Sequence, residues 1–466
     1  MITEDTEDAE VDEVVEVVVV GMGPGGEEVA GRLAEAGLSV VGIDGELVGG
    51  ECPYWGCVPS KMMIRAANLL AEARRIPGVA GTAQVVPDWA PVAARIRDEA
   101  TDNWDDTVAV ERFEQKGGRF VRGHGRLVSR DTVAVGDLRY QATRGIVLAT
   151  GTSPTIPPIE GLAHTPYWTN RDAIAAVEVP ESLIVLGGGA IGAELAQVFA
   201  RFGSVVSVVE AADRLLPLEE PEAGAVVADA FTAEGLALRT GTPSTQVDHD
   251  GNAFAVTLAD GEKLRGQRLL VATGRRADLA SIGSDVLGIG ADVRWMPVDE
   301  HQRVTDGVWA VGDLTGKGAF THVAMYQAGI AVADILDEPH QPADYAALPR
   351  VTFTDPEVGS VGLTEQQARD QGADVATGMA QVPGTARGWL HKTGNDGVIK
   401  LVADLDRGVL VGATSVGPTG GEVLGLLALA VHARIPITTL RSMIYAYPTF
   451  HRGIEDALGD LMDSGH

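Results

Sequence analysis

The chain has 466 residues, 45% of them hydrophobic, enough for about three domains with cores of their own. Its 65 acids against 36 bases give a net charge of −29, which argues against nucleic acid or an anionic membrane surface as partner. No apolar run reaches the roughly 20 residues of a membrane span, and only two cysteines occur, so the expectation is a soluble cytoplasmic protein without a structural disulfide framework.

Met1 to Glu16 carry eight acids and no base, the opposite of a secretory signal, and read as a short solvated arm. Val17 to Val20 form a strand that runs into Gly21-Met22-Gly23-Pro24-Gly25-Gly26. An amphipathic helix to Ala36 follows, then a strand from Leu38 to Ile43 ending at Asp44. The plan returns later: Leu183 to Leu186 lead into Gly187-Gly188-Gly189-Ala190-Ile191-Gly192, a helix runs to Phe202, and Ser204 to Val209 end at Glu210. In both units the acid lies 23 positions beyond the first glycine (21 to 44, 187 to 210).

The first glycine of such a turn permits the tight bend, the second lets backbone approach a pyrophosphate, and the third lets helix pack on strand. Free N–H groups and the helix dipole favour the pyrophosphate there, and the acid accepts hydrogen bonds from a ribose diol. One such motif among 58 glycines would be weak; two with matched context predict two Rossmann-like α/β units, each with a dinucleotide. A carboxylate at Glu210 suits the free 2′-hydroxyl of NAD and repels the 2′-phosphate of NADP. No arginine occupies that strand end, although Arg214 follows, so NADH is expected over NADPH.

Between the repeats lies Cys52-Pro53-Tyr54-Trp55-Gly56-Cys57, followed at once by Val58-Pro59-Ser60-Lys61. The only two cysteines, set together among Gly and Pro, suggest a redox pair. The bland alternative is two unrelated buried thiols; zinc would need ligands this segment lacks. In a regular helix, Cα atoms five steps apart stand roughly 8 to 9 Å from one another, beyond the limit of about 7 Å for bridging. A disulfide therefore requires the backbone to leave helical geometry, which Pro53, Gly56 and Pro59 make easier. A flavin with a nicotinamide is the sensible cofactor pair for such chemistry.

Together these residues resemble the flavin-dependent pyridine nucleotide–disulfide oxidoreductases, over essentially Val17 to Leu461. Gly49-Gly50-Glu51-Cys52 to Lys61 looks like the family's redox motif. Leu148-Ala149-Thr150-Gly151 and Val271-Ala272-Thr273-Gly274 look like its two strand-end motifs, and Val308 to Asp313 like its second FAD motif. From Pro349 to Glu357 the chain resembles the opening of the dimerisation domain. The resemblance implies an FAD-binding domain in 1–150 and 277–346, an NAD(P)-binding domain in 151–276, and an α/β dimerisation domain in 347–466. Its cofactor-binding candidates are Gly21, Gly23, Gly26, Asp44, Gly50, Lys61, Thr150, Gly151, Gly187, Gly189, Gly192, Glu210, Gly274 and Asp313. It implies a homodimer in which electrons pass from NADH through FAD to a Cys52–Cys57 disulfide. Cys57 would lie against the flavin and Cys52, nearer solvent, would meet substrate. Lys61 and Glu194 would form an ion pair near the flavin.

One segment departs from that pattern. Dithiol-handling members end with His-Pro-Thr, the His pairing with a Glu five residues on. Here the order is Tyr447-Pro448-Thr449, and Arg452 takes the Glu place. A tyrosine, with a reference pKa of about 10, is a poor base near neutrality. Tyr447 is a catalytic candidate as a donor; His451, one helical turn before Glu455, is the other, as a substitute dyad. The expected acceptor is a small non-lipoyl disulfide or related electrophile. The rivals are a dihydrolipoamide dehydrogenase-like or quinone (diaphorase-type) reductase, a mercuric reductase, which also carries Tyr there but uses a further cysteine pair, and a non-catalytic redox sensor. Tyr54 and Trp55 narrow access to the cysteines, stack on a flat acceptor, or simply pack.

Overall fold

The computed structural model describes residues 11–290 and 292–463. The chain divides into two compact units, one of residues 11–59, 97–155 and 275–344, the other of 60–96, 156–274 and 345–463.

In the first unit, strand Glu13–Val20 pairs in parallel with Val40–Asp44 on one side and Leu138–Leu148 on the other, and Arg119–Arg122 and Val308–Ala310 extend the parallel core. Val17, Val18 and Val19 are fully buried, so this strand has core on both faces, which explains its unbroken run of valines. Helices Pro24–Glu35 and Thr321–Ile335 cover one face through Val29, Ala30, Leu33, Ala328, Ala331 and Val332. The other face is covered by residues of an antiparallel ribbon, Gly125–Leu127 with Thr132–Val135, and by Leu279, Ile282 and Met296. The expected solvated arm is shorter than read from sequence. Residues 13–16 belong to the strand: Val15 is buried against Ala142, Glu13 pairs with Arg119, and Glu16 accepts the Ser39 N–H at 2.8 Å. Residues 1–10 of that arm lie outside the described residues.

The second unit repeats the plan. Strands Ala237–Thr240, Val205–Glu210, Ser182–Leu186 and Arg268–Val271 form a parallel sheet, with helix Ala190–Arg201 after the central strand. A three-stranded antiparallel sheet, Ser244–His249, Phe254–Leu258 and Lys263–Gly266, packs on it through Phe254, Val256 and Leu258. These antiparallel layers are additions to the parallel sheets expected from sequence. From residue 349 an antiparallel five-stranded sheet follows, ordered Pro349–Thr352, Glu357–Gly362, Val409–Gly417, Val398–Asp404, Val375–Gln381, with helices Gly420–His432 and Gly453–Asp463 packed against it.

Residues 60–96, expected from sequence within the first FAD segment, group with the second unit. Trp89 packs on Phe199 and Phe202, and Arg74 donates to the Arg201 carbonyl at 2.8 Å. Arg201, only 3% exposed, is neutralised by Glu234 and Asp355, and Asp355 also takes Arg75 at 2.8 Å. Among the described residues no helix is long and apolar enough to cross a membrane.

Candidate active site

The two glycine turns are built alike. Gly21 N–H donates to Ile43 O and Gly187 N–H to Val209 O, both at 2.8 Å, which closes each turn onto its neighbouring strand. Both glycines have positive φ (+94° and +106°), and a Cβ on either would stand 2.4 or 2.3 Å from the carbonyl oxygen of Ala149 or Ala272. That contact gives the Ala-Thr-Gly strand ends a physical role, since each lies flush against the first glycine of its own turn. A Cβ on Gly26 would reach 1.9 Å from Gly21 O, and one on Gly192 2.0 Å from Gly187 O, so helix and turn touch without a side chain between them. Gly23 and Gly189 are the opposite case, with nothing within 4 Å of an added Cβ, which is the open backbone a phosphate needs. The glycines of the strand ends, Gly151 and Gly274, are equally open beside Thr150 and Thr273. Both cradles therefore fit a dinucleotide.

The acids at the strand ends are held by their own loops. Asp44 accepts the Met22 N–H at 2.6 Å and the Glu46 N–H at 2.7 Å; Glu210 accepts Gly188 N–H at 2.6 Å and Ala212 N–H at 2.8 Å. Each carboxylate is thereby oriented while keeping lone pairs for a diol. Burial raises the Asp44 carboxyl above the usual aspartate range, against the pull of those two N–H groups and of Arg122. Arg214, the one cation near Glu210 in sequence, donates to the carbonyls of Pro217 and Glu219 at 3.0 and 3.3 Å. Asp313 accepts a hydrogen bond from Thr152 at 3.2 Å; burial raises its carboxyl, and the Arg275 charge opposes that. Arg275 in turn donates to Thr152 Oγ1 and O at 2.8 and 2.6 Å and stands 3.6 Å from Glu51, directly before Cys52.

The cysteines sit on either side of a helix break, as bridging requires. Helix Glu51–Tyr54 ends at Trp55, whose φ of −133° is not helical, and a new helix, Cys57–Arg74, starts at Cys57 with Pro59 in its first turn, where a missing N–H costs nothing. Gly50, at φ +65°, lies against Gly23, with an added Cβ 2.8 Å from its Cα. Within the single chain Cys52 is half-buried and Cys57 exposed. Cys57 opens its helix and has no preceding turn to cover it, whereas Cys52 lies within the short one. Cys57 Sγ is 3.4 Å from Thr321 Oγ1.

Trp55 stacks on Trp104 (centroids 5.3 Å apart, planes 23°), so at least part of the packing alternative holds. Trp104 Nε1 donates to Tyr54 O at 3.3 Å, and Asp106 accepts the Val48 N–H at 2.7 Å and Arg122 at 2.6 Å. Asp102, Asn103 and Trp104 all take left-handed φ (47°, 56°, 57°), an uncommon run for residues with a Cβ.

In the second unit Lys61 Nζ is 2.8 Å from Glu194 and 4.6 Å from the centre of the Phe353 ring. Glu194, 5% exposed, uses its other oxygen on the Phe353 N–H at 2.8 Å. In the C-terminal segment Tyr447 is 70% exposed, with the Arg452 guanidinium 5.5 Å from its ring centre. The substitute dyad is not formed. Glu455 pairs with Arg452 at 2.8 Å, a full cation one turn away, and His451 Nε2 lies 3.3 Å from Thr449 Oγ1.

Thr321, Thr152, Arg275, Phe353 and Trp104 were not legible as site residues. Of these, Thr152 and Arg275 carry a signal, their positions directly after Gly151 and Gly274. The others are brought in from far along the chain.

Residues 15–328 match the family described as pyridine nucleotide-disulphide oxidoreductase, and 348–458 match that family's dimerisation domain. The chain is 33% identical to the mercuric reductase of Shewanella putrefaciens over 458 residues, covering 94% of this chain and 80% of the relative. It is 32% identical to the dihydrolipoyl dehydrogenase of Chlorobaculum tepidum over 461 residues, covering 96% and 97%. Among solved structures, LpdA from Mycobacterium tuberculosis superposes with a TM-score of 0.83 at 26% identity, over 96% of this chain and 100% of the other. RclA, an HOCl-induced flavoprotein disulfide reductase from Escherichia coli, does so at 0.80 and 26%, over 96% and 99%. Fold and site thus define an enzyme with one Rossmann-like domain for a flavin, another for a nicotinamide, and a dimerisation domain that follows them in sequence. The chain belongs to the pyridine nucleotide-disulphide oxidoreductase family, FAD-dependent enzymes that use NAD(P)H.

Proposed function

We propose that this enzyme takes its electrons from NADH and delivers them, through Cys52 and Cys57, to a small disulfide other than lipoamide or glutathione, or to a related electrophile. The observation that carries this reading is the C-terminal segment: Tyr447 stands exposed under Arg452, and Glu455 is engaged by that arginine rather than by a histidine. The His-Glu pair that the family resemblance implies for its dithiol-handling members has no counterpart there, and dithiol exchange by that route lacks its proton carrier.

FAD, when bound, supplies two-electron chemistry between the nicotinamide and the cysteines. The chain's own work is then as follows. The turns at Gly21–Gly26 and Gly187–Gly192 hold the pyrophosphates, Asp44 and Glu210 the ribose diols, and Asp313 the flavin's polyol chain. Glu210, with Arg214 turned to backbone carbonyls, favours the nicotinamide without a 2′-phosphate. Lys61, fixed by Glu194, supplies positive charge on the helix that Cys57 opens, which favours the thiolate as the reactive form. Cys57 is assigned to the flavin side and Cys52 to exchange with the acceptor. Tyr447 of the partner subunit donates a proton to the leaving thiolate. Each turnover consumes one NADH, one proton and one disulfide and yields NAD⁺ and two thiols.

The test is Cys52→Ser. NADH-driven disulfide reduction should vanish while NADH–quinone reduction survives, and a variant that still reduces disulfides would sink the assignment. A panel of disulfides should rank lipoamide and oxidised glutathione low.

A further inference from the structure

We propose that His301, His340 and Asp334 form a binding site for a divalent transition-metal ion that favours imidazole, such as Zn²⁺, Ni²⁺ or Cu²⁺. His301 lies in the turn before strand Arg303–Thr305, Asp334 in the last turn of helix Thr321–Ile335, and His340 in the segment that follows that helix. None of the three takes part in the dinucleotide cradles or the cysteine segment.

The geometry is that of converging ligands. His301 Nδ1 and His340 Nε2 are 2.9 Å apart, their rings at 90°. Asp334 Oδ1 is 3.8 Å from the same His340 nitrogen, and one donor atom from each residue falls within 4.8 Å of the others. Two nitrogens bound to one ion at about 2.0–2.1 Å each stand roughly 3 Å apart, so the imidazoles are already at bonding separation.

The outer partners are in place as well. His340 Nδ1 is 3.0 Å from the carbonyl of Glu338, which can only accept, so that nitrogen carries the proton and Nε2 keeps its lone pair. This is the support a metal-bound histidine normally has. The Asp334 carboxylate is buried and clamped by Arg303 Nε and Nη2 at 2.5 and 2.7 Å and by Trp309 Nε1 at 2.7 Å. Although burial alone would raise it, these donors hold the carboxyl below the usual range, so it stays ionised.

Without metal, His301 Nδ1–H donates to His340 Nε2. On binding, that proton passes to His301 Nε2, which lies 3.7 Å from the exposed Glu300 carboxylate, and both facing nitrogens become ligands. No proton is lost and no redox partner is needed. Arg303, bound to Asp334, opposes the cation, and with three protein ligands the site is weaker than a closed four-ligand one. Imidazole donors select Zn²⁺, Ni²⁺ and Cu²⁺ over Mg²⁺ and Ca²⁺. An ion here ties the segment after the helix to the turn ahead of Arg303.

The cysteine pair also attracts soft metals, so the test uses the full-length, FAD-loaded protein carrying Cys52→Ser and Cys57→Ser. Calorimetric titration with Zn²⁺ and with Ni²⁺ should give one site per chain, unaffected by excess Mg²⁺ or Ca²⁺. His301→Ala and His340→Ala should each weaken it at least tenfold, with thermal unfolding of the metal-free variants confirming that they remain folded. Equal affinity in the histidine variants, or no saturable binding, overturns the proposal.

Discussion

Glu194 is the side chain on which most depends, because both of its oxygens are committed inside a nearly closed environment. Glu194→Ala strands the half-buried Phe353 N–H and leaves Lys61 without this partner, a loss of about 1–3 kcal/mol. The denaturant midpoint should fall by that amount with an unchanged m value, and an unaltered midpoint would show that the carboxylate is dispensable to the fold. Tyr447→Phe keeps the ring under Arg452 and removes the proton. If the hydroxyl is the donor, disulfide turnover drops about a hundredfold while quinone reduction is untouched. Asp313 is held above the ordinary aspartate range, chiefly by burial, with Arg275 and Thr152 pulling back. A raised pKa means the fold favours the protonated acid. Its contribution is full below the ordinary value near 3.9 and fades as pH rises through the folded one. Arg275→Met removes the opposing charge and should move that fading to higher pH in melting profiles of the apoprotein; an unmoved profile rejects Arg275 as the counterweight.

Between elements of the second unit, Lys400 of strand Val398–Asp404 fastens Glu220 and Glu222, at the start of helix Pro221–Ala233, to Glu365 of helix Glu365–Asp370, at 2.9–3.0 Å. Burial would lower this lysine, yet its bonds to Glu222, Glu365 and Glu220 raise it well above its usual value. A raised lysine stabilises at every pH below its unfolded value, so no loss is expected from neutrality to about pH 10. Lys400→Met leaves Glu220, 3% exposed, without its cation and should cost about 3–5 kcal/mol in chemical denaturation. Nothing in the sequence announces this clamp, since its members lie up to 180 positions apart. The strand–turn–helix repeats were legible because their signals are local: a valine run, three spaced glycines, an acid at a fixed offset. The helix break at Trp55 was legible from Pro and Gly for the same reason. The antiparallel layers, Thr321 beside Cys57, and the loss of His451–Glu455 to Arg452 depend on which distant or competing group arrives first. Sequence does not rank those competitors.

At the scale of the whole molecule, the dimerisation domain at 348–458 and the exposed Tyr447 belong together, since Tyr447 is proposed to serve the partner's cysteines. Light scattering should give twice 48.7 kDa, and a monomer with full disulfide turnover would refute that sharing.

The left-handed run at Asp102, Asn103 and Trp104 has a practical corollary for anyone breeding heat-tolerant versions of this enzyme. Each such residue costs of order 1–3 kcal/mol, so Asn103→Gly is a mutation that a thermal screen would favour early. Whether those survivors keep their catalytic speed would reveal if the stacking of Trp55 on Trp104 is an ornament of the chain or a condition of its trade.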